Sequence, residues 1–476
     1  MNQTRRSFLH AAAAAAAAAT LTEPVLAAAG VFTPEQFGAK GDGVSNDSGA
    51  FAKLAAAVNA AGGGTVELRK TTYIVGEQRP NLDPNGQFYF VPVPLLGFAG
   101  CTRPLVIRGN GATMRCAPGL RYGTFDLAGR PARHPMPYIG PGLASPYLHM
   151  LKVENCSGRI EISDLELDGN LPHLVIGGEY GDTGRQIPGS GIGLLNNRGD
   201  EVLSNVYSHH HPLDGVIIDG IDRLVKPAPQ RLLRGLRSEY NARQGVSLIG
   251  GRGYAFEQCK FNHTGHSVIQ SAPGAGVDIE AEGGKINRDH SFTDCEFVDN
   301  HGSGMVADTG DSEGATFTRC TFVGTVSWCA WPNKPRFRFH ACRFVGSLVH
   351  AYGEADAARS TQFYDCTFLD DPKLSPTGKV YVGDKPEGPI ADLPENPNVL
   401  FSRCTFRLTH KGLLPWSWYV IYADCRMDQR SNTLAFPKGK YLGTSVLNGH
   451  VDMYGANIVG VLMLNGTRIE RRKLGG

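Results

Sequence analysis

One short pattern, Phe-x-x-Cys-x-Phe, recurs through the second half of the chain and restricts its fold more than any other feature. It reads Phe256/Cys259/Phe261, Phe292/Cys295/Phe297, Phe317/Cys320/Phe322, Phe339/Cys342/Phe344, Phe363/Cys366/Phe368 and Phe401/Cys404/Phe406, and closes on the variant Tyr422/Cys425/Met427. Successive cysteines are 36, 25, 22, 24, 38 and 21 residues apart. Periods of this size mark repeat architectures in which each unit stacks on the last. The residue between the Cys and the second aromatic is polar every time (Lys260, Glu296, Thr321, Arg343, Thr367, Thr405, Arg426). That alternation has period two, so each repeat carries a strand with one side in and one side out. The shorter intervals match single coils of a parallel β-helix, and the longer ones match coils with inserted loops. The expectation is an all-β solenoid whose Cys and Phe columns stack inside as ladders.

The ladder also decides how the 11 cysteines are read. Residues one coil apart sit about 4.8 Å from each other with parallel side chains, whereas a disulfide needs side chains that point at one another. The repeated cysteines are therefore expected to be small buried hydrophobes. No paired C-x-x-C suggests a metal site. Gly 60 and Pro 29 suit many tight turns, and a net charge of +2 gives no reason to expect nucleic acid as a partner.

The N-terminus reads Thr4-Arg5-Arg6-Ser7-Phe8-Leu9, followed by alanines from Ala11 to Ala19 and the small residues Ala27-Ala28-Ala29. A charged start, an apolar stretch and a small-residue cleavage site make an export signal over residues 1–29. The paired arginines resemble a twin-arginine leader, which implies export of the folded protein to the periplasm or beyond. No later run approaches 18 apolar residues, so no membrane association is expected after the leader is removed.

Residues 36–75 carry a second strong signal. Phe37-Gly38-Ala39-Lys40-Gly41-Asp42-Gly43 is a glycine-rich turn, and Asn46-Asp47-Ser48 offers a helix N-cap. Phe51, Leu54, Ala55 and Val58 follow at helical spacing, giving one apolar stripe of the kind that caps an open solenoid end. Gly62-Gly63-Gly64 ends the helix, and 65–68 and 72–75 read as the first strands. This stretch resembles the N-terminal segment of the pectate-lyase-like superfamily (pectin lyase-like proteins and relatives of family 28 glycosyl hydrolases). The resemblance implies a single-stranded right-handed parallel β-helix with an N-terminal capping helix over residues 30–435. Residues 436–476 are expected to add closing strands and a tail. Residues 76–150 read as loops over the first coils, and 373–398 as a large insertion. The resemblance also implies a glycan-active protein, without fixing the reaction.

Two groups of residues are candidates for chemistry. In Val277-Asp278-Ile279-Glu280-Ala281-Glu282, a strand would place three carboxylates on one side. Crowded like charges let one acid stay protonated while another ionises. Glu280 and Glu282 are alternatively a pair of ligands for Ca²⁺. The plainer reading of such a charge run is a solvated acidic edge. Asp308 falls one coil later and is a catalytic partner. His209-His210-His211, Arg243, His263 and His301 follow the second aromatic, or its equivalent, in successive coils. They are expected to form a cationic column for substrate carboxylates, although a single such histidine is more often a turn residue. Trp331, beside Trp328, is a flat surface for a sugar ring, and Trp416 and Trp418 are a second pair.

The expected function is cleavage of glycosidic bonds in an acidic polysaccharide, with hydrolysis favoured, Asp278, Glu280 and Asp308 as acid and base, and His211, Arg243, His263, His301 and Trp331 holding substrate. No cofactor is needed for that reaction. Two rivals stand beside it. One is a Ca²⁺-assisted lyase using Glu280 and Glu282 with Lys285, whose Glu-x-Glu outline resembles that of Ca²⁺-dependent polysaccharide lyases. The other is a non-catalytic glycan-binding β-helix.

Overall fold

The computed structural model describes residues 30–82, 88–126, 128–131, 144–178, 187–222, 224, 228–383 and 385–475. The leader expected over 1–29 lies outside the described residues. One 36-stranded sheet winds through the molecule, almost all of it parallel. Each coil contributes a strand to three faces. The first face runs Gly64–Glu67, 105–108, 160–163, 201–204, Arg231–Arg234, Ala255–Glu257 and onward. The second runs Thr72–Val75, 113–116, 166–168, 207–209, Arg237–Glu239, Lys260–Asn262 and Glu296–Val298. The third runs Leu96–Ala99, His149–Glu154, Ser190–Leu195, Asp214–Asp219, 244–248, Ala275–Ile279, Met305–Ala307 and Trp331–Pro332.

The repeat pattern maps directly onto this winding. Phe256, Phe292, Phe317, Phe339, Phe363 and Phe401 are register partners along the first face. Phe297, Phe322, Phe344, Phe368 and Phe406 are partners along the second. Rings within a column stack, as in Phe292–Phe317 at 4.7 Å and Phe297–Phe322 at 4.5 Å. Rings across the corner meet edge to face, as in Phe317–Phe322 at 5.7 Å. The residue before each ladder Cys takes a left-handed conformation, with φ between 52° and 55° from Gln258 through Asp424. This turns the corner and points the thiol inward. All 11 cysteines are free and buried. Each repeat thiol donates to a first-face carbonyl of the preceding coil, for example Cys320 Sγ to Phe292 O at 3.4 Å.

Helix α1 (Ser48–Ala60) covers the N-terminal end with Phe51, Leu54, Ala55 and Val58 buried. Its first residues act differently from the expected cap. The Asp47 carboxylate accepts from Lys40 N at 2.7 Å and Gly41 N at 3.0 Å, so it ties down the glycine-rich turn. Asn46 Oδ1 takes the Ser48 amide instead. The stretch read as loops and the one read as an insertion both contain coil strands. Leu96–Ala99, Leu105–Cys116 and His149–Glu154 lie within or beside 76–150, and Ala391–Leu393 lies inside 373–398. At the C-terminal end, Pro437–Leu442, Thr444–Asn448 and Asn457–Leu464 still stack in parallel on the coil before them. Only Thr467–Lys473 turns back antiparallel to close the sheet. No described helix is long and apolar enough to cross a membrane.

Candidate active site on the third face

On the third face, Val246, Val277 and Met305 are register partners that point into the core. Their neighbours point outward and form a column one residue over: Gly193, Ile217, Ser247, Asp278, Val306 and Trp331. Asp278 sits in the middle of this column. The strands beneath it pack closely because glycines occupy the preceding outward position. A Cβ on Gly245 would strike the Gly276 carbonyl, and one on Gly276 would strike that of Gly304.

Asp278 is 7 % exposed. Its Oδ2 accepts from Gln244 Nε2 at 2.6 Å, and its Oδ1 is buried with no hydrogen-bond partner. Burial, then the neighbouring Glu280, and to a lesser degree Asp308, push its pKa up to about 8, with Arg243 opposing. At neutral pH this carboxyl holds its proton. Glu280 lies at the rim and accepts from the Thr309 hydroxyl. Asp308, on the next coil, is half-buried, and burial followed by Glu280 raises its pKa too. The three expected catalytic carboxyls are therefore electrostatic neighbours.

The strand itself is shorter than the sequence pattern suggested. It ends at Ile279, so Glu280 and Glu282 leave it on a loop that reaches the Gly283-Gly284 turn. The Glu282 side chain reaches solvent, but partial desolvation of its carboxyl, only partly offset by Arg243, raises its pKa. Among the described residues, the one group of at least three His, Cys, Asp or Glu donors within 4.8 Å of one another is Asp168, His209 and His210. Glu280 and Glu282 lie outside that group. Lys285 points away to an ion pair with Asp219 and donates to Asn196 at 2.9 Å.

Arg243 is not a free substrate clamp. It grips Asp214 with two hydrogen bonds, Nε to Oδ1 at 2.8 Å and Nη2 to Oδ2 at 2.5 Å. Ser247 Oγ also donates to Asp214 at 3.0 Å. Burial opposes the Arg243 charge, but Asp214 outweighs it and raises the pKa. Arg243 therefore positions the coil beneath Asp278 and supplies a buried positive field. His211 does not face a substrate either. It is fully buried, Nδ1 lies 2.8 Å from the Tyr147 hydroxyl, and burial drives its pKa well below the usual histidine value.

His263 and His301 stand at the corner between the second and third faces. His263 Nδ1 lies 2.9 Å from Asp299 Oδ2, while the His301 ring meets His266 at 6.1 Å. Burial, then His266, lowers the pKa of His301. Among the described residues, no hydrogen bond or ion pair joins His263 or His301 to Asp278, Glu280, Glu282 or Asp308.

Trp331 belongs with the acids. It lies two register steps from Asp278 through Val306 and packs edge-on against Trp328 at 5.6 Å. Trp416 and Trp418 both pack near Phe436, at 6.3 and 6.2 Å. Gln244, Ser247 and Lys334 were not visible as site residues in the sequence. Lys334 donates to Gly310 O at 2.8 Å, and its charge partly offsets the rise that burial and Glu280 impose on the Asp308 pKa. Only the register between coils reveals such neighbours.

One large parallel sheet, wound in coils with a helix at its N-terminal end, is a parallel β-helix. No family model and no curated protein matches the sequence. Among solved structures, the chain is similar to the A-modules of two mannuronan C-5 epimerases of Azotobacter vinelandii. For AlgE4 the identity is 14 %, covering 88 % of this chain and 95 % of that one, with a TM-score of 0.45. For AlgE6 it is 14 %, with 92 % and 98 % covered and a TM-score of 0.46. The N-terminal fragment of the bacteriophage Phi29 gene product 12 follows at 12 % identity, 93 % and 73 % covered, and a TM-score of 0.45. Likenesses this distant do not bear on the reaction.

Proposed function

We propose that the chain is a polysaccharide hydrolase that cleaves glycosidic bonds on its third face. The observation that carries this reading is Asp278, a carboxyl kept protonated at neutral pH beside two further acids. Glycoside hydrolysis needs such an acid and a second carboxylate across the bond. The glycosidic C–O bond breaks as its oxygen takes the Asp278 proton. Water adds its hydroxyl to the anomeric carbon and passes its proton to Glu280. Trp331 offers a ring face one to two sugar units along the same column. Lys334, beside Asp308, offers an ammonium to a uronate carboxylate, which favours an acidic polymer. The lyase reading draws less support, because Lys285 is engaged by Asp219. We also propose export of the folded chain through its twin-arginine leader.

A panel of neutral and uronate-containing polysaccharides, assayed for new reducing ends and for ultraviolet-absorbing unsaturated ends, tests the reaction. Hydrolysis predicts reducing ends alone. Unsaturated ends would make the protein a lyase, and binding with no product would make it a glycan-binding protein.

A further inference from the structure

We propose that Asp168, His209 and His210 form a binding site for a divalent transition-metal ion, with zinc the best fit, on the second face and apart from the acid column. Asp168 and His209 are register partners on adjacent coils, each at the end of its second-face strand. His210 is the next residue and takes the left-handed corner, φ 53°, which swings its ring back over the strand end. One donor atom from each of the three residues lies within 4.8 Å of the others.

The hydrogen bonds around the group aim these donors. His209 Nε2 lies 3.0 Å from Glu166 Oε1, so that nitrogen carries the ring proton and Nδ1 presents its lone pair. A carboxylate behind a histidine is the usual way a metal-binding imidazole is oriented. His209 Nδ1 and His210 Nδ1 are 2.7 Å apart, so a proton from His210 must sit between them. A cation can take that place, with the displaced proton moving to His210 Nε2 so that the ring stays a neutral ligand. Asp168 Oδ1 lies 3.8 Å from His209 Nδ1, and Arg115 Nε holds the other oxygen at 2.7 Å. Both rings are fixed by stacking, His209 on Tyr207 at 4.0 Å and His210 on Tyr240 at 5.1 Å. His209 is buried, whereas His210 is partly open, which leaves room for water to complete the shell. Two imidazoles and a carboxylate with an open position are a zinc donor set. Zinc–nitrogen bonds of about 2.0–2.1 Å in a tetrahedron place the nitrogens about 3.3 Å apart, so the rings need part only slightly.

The test uses the untagged protein, stripped with a chelator and titrated with Co²⁺ in the visible range and with Zn²⁺ by calorimetry. One ion per chain is expected, with ligand-field bands and without the near-ultraviolet band of a cobalt–thiolate. His210→Asn keeps the corner, since Asn170 holds the equivalent φ of 53°, and should weaken binding at least tenfold. Glu166→Gln should weaken it about tenfold. The proposal fails if the folded wild type binds neither ion stoichiometrically, if a thiolate band appears, or if His210→Asn binds like wild type.

Discussion

Asp278 is costly to the fold and useful to the site for the same reason. An unfolded aspartate ionises near its ordinary value of 3.8, whereas in the folded chain it holds its proton to about pH 8. Between those values the folded state binds a proton that the unfolded state has released, so stability falls as pH rises from about 4 to about 8. Each pKa unit is worth about 1.4 kcal/mol. Asp278→Asn removes this cost and can keep the bond to Gln244. It should stabilise the protein at pH 7.5 by on the order of a few kcal/mol, with the gain vanishing near pH 4. Denaturation curves at both pH values check this. If the proposed hydrolysis is right, the same variant loses activity by about 10²–10⁴-fold, and wild-type activity declines above about pH 8 as Asp278 ionises. His211 shows what residue identity alone cannot tell. Its three-histidine context reads as an exposed cationic cluster, but its burial is settled by Tyr147, 64 residues away in sequence.

The strand and its corner are the elements in which sequence and structure agree best. The Cys/Phe pattern was legible because side-chain alternation and coil length both leave a period in the sequence, and each Phe sits where that period places it. Phe317 stacks between Phe292 and Phe339, at 4.7 and 4.8 Å. Phe317→Ala should cost about 3–5 kcal/mol, read as a lowered unfolding midpoint. The corner offers the opposite change. Ala341 takes φ 52° with no polar side chain to stabilise it, so Ala341→Gly should gain up to about 1 kcal/mol, visible as a higher melting temperature. What the sequence did not disclose was where strands stop and which residues become neighbours across coils. Ala275–Ile279 ends before Glu280, and three residues outside any strand lead from it to the Gly283-Gly284 turn. Asp214, Gln244 and Ser247 join Asp278 through register alone, and nothing in their local spacing signals it.

At the scale of the whole molecule, winding brings side chains from separate coils into one site and keeps 11 thiols out of reach. A thiol reagent should label none of the cysteines in the native protein and all 11 after unfolding. For a chain proposed to travel folded, that burial protects the ladder in an oxidising compartment. The site follows the same logic. Arg243 comes from the coil before Asp278, Glu280 from its own coil and Asp308 from the next, and all three act on its proton. The most direct test is an infrared titration that follows the protonated carboxyl of Asp278, assigned by its loss in Asp278→Asn, in wild type and in Asp308→Asn. The structure predicts a carboxyl band that persists at pH 7 and disappears near pH 8, with a lower midpoint once Asp308 is neutral. An Asp278 already ionised at pH 6, or a midpoint indifferent to Asp308, would contradict a reactive centre assembled across these coils.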